Sequence, residues 1–231
     1  MKLAIMQPYF LPYIGYFQLM ASVDHFIVYD NVKYTKKGWI NRNRMLMNGT
    51  DVVFSLPLSK ASDYLNVVER ELSADFDRTK LLNQFKGAYN RAPYFEETYP
   101  VLEQIVHHED HNLFRYIHNS IVRLSKHLGI KTEIRISSEI AIDHELRGQD
   151  KVLAFCKAVG ADTYINLPGG KALYDEPSFT ESGLQLSFIQ PKAVSYRQFS
   201  SGFVPHLSVI DVLMFNGREE CARLLEKYDL D

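Results

Sequence analysis

The chain has 231 residues, enough to bury the core of one large domain or of two small ones. Its composition, 46% hydrophobic and 23% charged, is that of ordinary globular domains and excludes a disordered or fibrous protein. Because the formal net charge is only −2, the molecule as a whole exerts no strong field on nucleic acid or on an anionic membrane, and any anion site must be local.

The first predicted elements form a β-loop-α-β unit. Residues 2–6 and 26–29 are short apolar segments typical of buried strands, and residues 14–21 have the pattern of a helix. Such a unit favours neighbouring parallel strands joined by a right-handed crossover. Asn48 and Gly49 then separate two further strand-like segments, which predicts a β-hairpin.

Helical patterns dominate the middle of the chain, and the βα alternation resumes after them. Three helices are predicted: the first is capped by Ser73 or Asp75 and runs to about residue 91, and the others cover residues 96–106 and 112–128. Strands follow over residues 132–136, 163–166 and 184–189, with helices over residues 149–159, 207–215 and 218–228. We predict a single α/β domain over residues 1–231, with a Rossmann-like parallel sheet, an inserted hairpin and a helical lobe at residues 73–128.

The loop after the first strand is the first candidate site. Residues 7–16 lead into a helix whose N-terminal amides suit an anion, and a glycine at position 15 lets a ligand approach the backbone. The candidate binding residues are Gln7, Tyr9, Tyr13, Gly15 and Tyr16. The alternative is a loop whose aromatic rings simply pack on the end of the sheet.

This loop also resembles the layout of nucleotidylyltransferases, in which a His-x-Gly-His motif follows the first strand. Here the spacing is kept, but Tyr13 and Tyr16 stand where the histidines would be. A phenol is neutral at pH 7 and supplies no positive charge to a triphosphate. We therefore predict that the protein does not transfer a nucleotidyl group.

A basic segment follows the second strand. Residues 33–44 contain five cations, the single tryptophan, Trp39, and two asparagines. Arg42 and its neighbours match phosphate oxygens, an indole face accepts a base or sugar ring, and Asn43 adds an amide. Since ligands of open α/β sheets bind beyond the carboxyl ends of the strands, we expect this segment and the opening loop to line one cleft. The alternative is a solvated basic edge strand.

Two weaker features remain. Gly169, Gly170 and Lys171 follow a predicted strand and could hold an anion, although their spacing is not that of a P-loop and an ordinary turn is the alternative. Asp211 lies in a helix that is apolar nearly all round, so we expect it to form a structural ion pair, with a cation of residues 33–44 as its partner. The histidine and cysteine spacings predict neither a metal site nor a disulfide, and we expect no cofactor.

Several of these stretches together resemble one family. Residues 7–16, Tyr29 with Asp30, residues 37–43, residues 164–170 and residues 205–211 are similar to the corresponding motifs of the WbqC-like family, and the resemblance covers essentially the whole chain. It implies a place in bacterial O-antigen or other surface-polysaccharide synthesis, and a glycine-transferase role has been suggested for some members. The resemblance assigns no catalytic residue.

The residue patterns and the family resemblance together predict a transferase that moves an aminoacyl or acyl group onto an amino sugar, held as its nucleotide conjugate. Asp30 would take the proton from the attacking amine, and Lys37 or Asn41 would stabilise the oxyanion. Trp39 or Tyr9 would stack on a ring. The alternative is a non-catalytic module that binds a nucleotide sugar or another anion.

The expected partners follow from the same reasoning. They are a small-molecule acceptor and an activated acyl donor such as a thioester or a charged tRNA, with no membrane and no duplex nucleic acid. No apolar run approaches the roughly 18 residues of a membrane span, and residues 1–8 lack the features of a signal peptide. We therefore expect a cytoplasmic protein.

Overall fold

Strands form two sheets in the computed structural model, which describes residues 1–199 and 202–231. In chain order the strands are β1 (Lys2–Met6), β2 (His25–Val28), β3 (Arg42–Met47), β4 (Thr50–Ser55), β5 (Glu133–Ile136), β6 (Thr163–Asn166), β7 (Gln185–Pro191) and β8 (Tyr228–Leu230). The helices are α1 (Ile14–Ala21), α2 (Arg78–Tyr89), α3 (Phe95–Val106), α4 (Leu113–His127), α5 (Gly148–Val159), α6 (Glu176–Glu181) and α7 (Val209–Leu224).

The central sheet has the order β5-β2-β1-β6-β7-β8, and its strands are parallel except for β8, which runs antiparallel to β7. The chain passes from β1 to β2 on one side and later returns to β6 on the other side of β1. This reversal makes the carboxyl ends of β1 and β6 a topological switch point, where open α/β sheets form a crevice for ligands. The predicted Rossmann-like α/β class is confirmed.

The inserted hairpin forms where the turn residues require it. Asn48 and Gly49 both adopt positive φ, 52° and 79°, which matches the twist of a two-residue hairpin loop. They join β3 to β4 in a separate two-stranded sheet. Because β3 begins at Arg42, the second half of the basic segment is fixed in a strand.

The helices largely follow the predicted pattern, with differences at their ends. Asp77 caps α2 by accepting a hydrogen bond from the Lys80 amide at 2.8 Å, so the helix begins later than the predicted caps at residues 73 and 75. Gly217, at φ 70° and ψ 174°, interrupts α7 between its two predicted halves. Residues 228–230 form β8 where a helix end was predicted. The three helices α2 to α4 lie within residues 73–128, and their status as a lobe stays a prediction.

The sheet is buried on both faces. Ala4 and Phe26 pack in the larger apolar cluster, with the hairpin and α2 to α4, whereas Leu3 and Ile27 pack in a second cluster with α5. This alternation is what a parallel sheet covered by helices requires. Among the described residues no helix is long and apolar enough to cross a membrane.

Candidate functional site

Two cavities lie beyond the carboxyl end of β1 and share Tyr13 and His206 as walls, and the second also reaches the carboxyl ends of β6 and β7. The first has a volume of about 200 Å³ and the second about 390 Å³. The first is lined by Tyr9, Pro12, Tyr13, Trp39, Asn43, Arg44 and His206. The opening loop and the basic segment therefore meet in one site, as the sequence predicts.

The opening loop is held from two distant parts of the chain. Asn43 Nδ2 donates to the carbonyl oxygens of Leu11 at 2.7 Å and Phe10 at 3.3 Å. Ser208 Oγ donates to the same Leu11 oxygen at 2.7 Å. Leu11 itself adopts a positive φ of 48°, a conformation that needs this support in a non-glycine residue. Asn43 therefore positions the loop as well as lining the first cavity.

Tyr13 and Tyr9 form the aromatic wall that the sequence predicts. The Tyr13 ring lies directly over Gly15, where an added Cβ would come within 2.3 Å of Tyr13 Cε2. Burial raises the pKa of Tyr9, and burial together with the neighbouring Tyr9 raises the pKa of Tyr13 to about 12. Both phenols are therefore neutral hydrogen-bond donors at pH 7.

Gln7 and Tyr16 hold the Tyr9 ring of this wall in place. Tyr16 is fully buried, packs 5.8 Å from the Tyr9 ring, and donates to the Gln7 carbonyl oxygen at 3.2 Å. The Gln7 Oε1 atom accepts a hydrogen bond from the Tyr9 hydroxyl at 3.4 Å. The structure thus corrects the expectation that the Tyr16 side chain is open to a ligand.

The basic segment contributes Trp39 to the first cavity and uses Arg42 mainly to hold its own loop. Arg42 Nε and Nη2 donate to the carbonyl oxygens of Gly38 and Lys37 at 2.9 and 2.6 Å. Its guanidinium lies 5.4 Å from the centre of the Trp39 ring. The Lys37 side chain is exposed. Arg42 therefore mainly holds the loop that carries Trp39, and fewer of its N–H groups are free to bind a phosphate than the sequence predicts.

The predicted proton acceptor, Asp30, is fully engaged in hydrogen bonds. Its carboxylate accepts from Ser137 Oγ at 2.7 Å, from the Ser138 amide at 3.0 Å and from Ser138 Oγ at 2.6 Å. Only 3% of Asp30 is exposed. These bonds join the ends of β2 and β5, and the geometry favours a structural role over proton transfer.

Asn41 is engaged in the same way. Its side chain accepts a hydrogen bond from the Tyr34 hydroxyl and donates one to the Leu56 carbonyl oxygen, both at 2.8 Å. Among the described residues that line the two cavities, none is Asp30, Lys37 or Asn41. Their predicted catalytic roles have no support in this arrangement.

His206 is a residue that the sequence left without a role, and Arg44 was expected only to be one of the five cations of residues 33–44. Arg44 Nη2 donates to the His206 carbonyl oxygen at 3.2 Å, and Nη1 pairs with Asp51 at 3.2 Å. His206 has an unusual positive φ of 58°, and its exposed imidazole lines both cavities. The available signal was the position of His206, which follows Pro205 and precedes the capping residue Ser208 by two positions, within residues 205–211.

The second cavity is a suitable place for an anion. Its walls include Ile14 and Gly15 in the first turn of α1, and Tyr13 gives that helix no side-chain cap. Lys192 also lines it and pairs with Asp229 at 2.6 Å. Because this pair is exposed, its partner is easily exchanged for a ligand. The amides at the helix N-terminus and the ammonium group both favour negative charge.

The predicted Gly-Gly-Lys site is a short 3₁₀ turn over Pro168–Leu173. A Cβ on Gly170 would come within 2.8 Å of Asn166 Nδ2, so close packing accounts for this glycine, whereas a Cβ on Gly169 would meet open space. Lys171 Nζ pairs with Asp231 at 2.5 Å. Of this turn, only Pro168 is among the described residues that line the second cavity.

The structure also corrects the expectation that Asp211 forms an ion pair. Its carboxylate accepts hydrogen bonds from the neutral groups Tyr89 Oη at 3.0 Å, Tyr196 Oη at 2.6 Å and Gln198 Nε2 at 2.7 Å. In the described part of the chain no ion pair includes Asp211, so the predicted cation is replaced by three neutral donors. Burial raises the pKa of this carboxyl, and the three donors lower it again in part.

The comparisons with known proteins point in one direction. The sequence profile of the WbqC-like protein family matches residues 7–223. The chain belongs to the WbqC-like family. It is also 29% identical over 223 residues to the Uncharacterized protein Rv1507c of Mycobacterium tuberculosis (strain ATCC 25618 / H37Rv), a match that covers 94% of this chain and 95% of that protein.

The stretches that resemble the WbqC-like family are also those that build the site. Residues 7–16 and 37–43 supply five of the seven residues that line the first cavity, and residues 205–211 supply His206. All of them lie inside the matched region.

Proposed function

We propose that the protein transfers an aminoacyl or acyl group, for example glycyl, onto the amino group of a nucleotide-linked sugar in bacterial surface-polysaccharide synthesis. The observation that carries the proposal is the pair of neighbouring cavities that share Tyr13 and His206 as walls. One is walled by aromatic rings, the other includes a helix N-terminus and a lysine, and a histidine stands between them. A cytoplasmic location suits a nucleotide-linked substrate.

The two cavities match the two chemical parts of such an acceptor. Sugar and base rings pack well on aromatic faces such as those of Tyr9, Tyr13 and Trp39. A diphosphate suits the N-terminus of α1 and Lys192. The second cavity, at about 390 Å³, is within the usual range for small-molecule sites.

In the proposed reaction the amine nitrogen of the sugar attacks the carbonyl carbon of the donor, and the carbon–oxygen or carbon–sulfur bond to the leaving group breaks. The amine loses a proton, which His206 accepts and returns to the leaving group. Tyr13, whose pKa is raised to about 12, stays protonated and can donate a hydrogen bond to the oxyanion. His206 thus takes the role predicted for Asp30, and Tyr13 that predicted for Lys37 or Asn41.

A transfer assay tests this proposal. The protein is incubated with UDP-linked amino sugars and a glycyl or acetyl thioester, and the acylated sugar is detected by mass spectrometry. We expect His206→Gln to lower the rate by about 10²–10⁴ without a change in thermal stability. The control is His111→Gln, which replaces an exposed imidazole outside both cavities. Equal rates for the two variants would exclude His206 as the proton acceptor.

The side chains of Asp30 and Asn41 are already held in hydrogen bonds within the protein. This also supports the second candidate, a non-catalytic module that binds a nucleotide sugar. The same assay separates the two functions. Binding of a UDP-linked amino sugar without product from any donor would favour the module. Product formation that depends on His206 would exclude it.

A further inference from the structure

Exposed cations and aromatic rings lie together along one flank of the first cavity. We call this the basic ridge and define it as Lys33, Lys36, Lys37, Trp39 and Tyr64. All five side chains are exposed; Tyr64 has 84% of its surface open to solvent and Trp39 has 41%. Trp39 is also a wall of the first cavity, so the ridge and the site share one residue.

The ridge is built from two chain segments that are joined by backbone hydrogen bonds. The Tyr34 amide donates to the Leu65 carbonyl oxygen at 3.0 Å, and Lys33 and Asn66 form an antiparallel bridge. Lys33 Nζ lies 4.8 Å from the centre of the Tyr64 ring. The exposed tyrosine is therefore held beside a cation on a fixed backbone.

The charge of this flank differs from that of the whole molecule. Residues 33–44 contain five cations and no acidic residue, in a chain with a net charge of −2. Carboxylates also lie beside the ridge. Glu69 accepts a hydrogen bond from the backbone amide of Asn66, the residue that forms a bridge with Lys33. Asp63 pairs with Lys36 at 2.8 Å, and its pKa is lowered by the hydrogen bond from Lys36. Both partners are more than half exposed, so a phosphate can replace this carboxylate at little cost.

We propose that the basic ridge binds the single-stranded 3′ end of a charged tRNA, and that this RNA is the aminoacyl donor. The inference rests on the proposed function and names its donor. Cations that follow a phosphate backbone, together with exposed rings on which bases stack, are the common features of single-strand binding surfaces. The carboxylates of an acidic carrier protein would pair with the lysines, but such a protein would place no flat ring on Tyr64. The short run of bases at the end of a tRNA satisfies both.

The chemistry balances without a further reactant. The amino acid is esterified to the terminal ribose, and the amine of the sugar attacks the ester carbonyl carbon. The carbon–oxygen bond breaks, the amide bond forms, and the ribose oxygen receives the proton that the amine loses, through His206. The activated ester supplies the driving force, so no nucleoside triphosphate is consumed at this site.

Binding of a short RNA tests the ridge separately from catalysis. The probe is a fluorescently labelled RNA of about 12 nucleotides that ends in CCA, and anisotropy is measured at several salt concentrations. We expect Tyr64→Ala to weaken binding about tenfold. Removal of Lys33 and Lys36 together should reduce the slope of log K against log salt by about 0.7 for each lysine.

Matched controls lie outside the ridge. Leu173→Ala removes another exposed apolar side chain, and Lys131→Ala removes another exposed lysine. Neither change should alter RNA binding. Melting curves of all variants should coincide, because the side chains removed are exposed. If the controls weaken RNA binding as much as the ridge variants do, the ridge is not the binding surface and the proposal fails.

The remaining outcomes separate this proposal from the proposed function. Transfer from a small thioester by a protein that binds no RNA would overturn the ridge proposal and leave the transferase intact. Binding of an acidic carrier protein to the ridge, with no RNA binding, would replace the RNA by a protein donor. RNA binding that depends on the ridge, without acylation of any amino sugar, would support the ridge and overturn the transferase.

Discussion

Gly15→Ala is expected to damage the binding site while leaving the protein folded. The new Cβ would come within 2.3 Å of Tyr13 Cε2 and 2.8 Å of Cζ, whereas carbon atoms in contact lie about 3.5–4.0 Å apart. The Tyr13 ring must therefore move by about 1 Å or more. Because this ring is a wall of both cavities, its displacement changes the shape of each.

The magnitudes favour an effect on binding over one on stability. Alanine is preferred over glycine inside a helix by about 0.5–1 kcal/mol, which offsets much of the packing lost when the ring moves. We expect the melting temperature to change by no more than about 4 °C. A displacement of about 1 Å at a site can cost about 10²-fold in rate, and we expect at least a tenfold loss of affinity.

The single tryptophan supplies the assay. Trp39 is the only tryptophan of the chain and lines the first cavity, so its fluorescence reports a ligand at the site directly. The protein is titrated with a UDP-linked amino sugar, and melting is followed separately. Gly87→Ala is the matched control, because it is also a glycine within a helix but has open space around its Cβ position. It should raise stability slightly and leave the titration unchanged.

Two results would refute this reasoning. Full affinity in Gly15→Ala would mean that the Tyr13 ring does not contact the ligand. Loss of folding in Gly15→Ala, with a stable Gly87→Ala, would mean that the ring cannot move and that its position is fixed by the fold.

Three further predictions concern buried polar groups. Asp30→Asn should lower the free energy of unfolding by about 2–4 kcal/mol, because at least one of the three donors would then face an amide nitrogen. The activity per folded molecule should be retained. A variant that is stable but inactive would instead support Asp30 as the proton acceptor. Asp211→Asn should cost about 1–3 kcal/mol for the same reason, measured by urea unfolding, and unchanged stability would show that the three donors find other partners. Tyr13 keeps its proton to about pH 12 when folded but loses it near pH 10 when unfolded, so its contribution is complete below pH 10 and is lost between pH 10 and 12. Tyr13→Phe should therefore reduce the fall in the free energy of unfolding over this range by at most about 3 kcal/mol. Urea unfolding at several pH values measures it, and an identical fall in both proteins would contradict the raised pKa.

The architecture could be predicted because its signals are local. Apolar runs of four to six residues, Asn48 with Gly49, and the glycine after α5 each determine a short piece of backbone. The alternation of strands and helices then restricts the topology to a parallel sheet. The end of the chain was less predictable, because β8 exists only through its pairing with β7.

The roles of the site residues could be predicted only in part, because they depend on distant partners. The proximity of Tyr9, Tyr13 and Trp39 could be predicted because their positions in the loops after β1 and β2 were enough to bring them together. Asp30 is engaged by serines 107 residues later, and no local pattern shows that its oxygens are already satisfied. Arg44 meets the His206 carbonyl across 162 residues, a contact that only the folded chain defines.

The carbonyl oxygen of Leu11 has a consequence for how the protein is made. Its two donors lie 32 and 197 residues further along the chain. At a synthesis rate of about 5–20 residues per second, the opening loop leaves the ribosome roughly 10–40 s before its last partner is made. The first strands can pair in that interval, but the loop has no complete support. The support of the opening loop is therefore completed late in synthesis, and a ligand that needs this loop stabilises only chains that already contain Ser208.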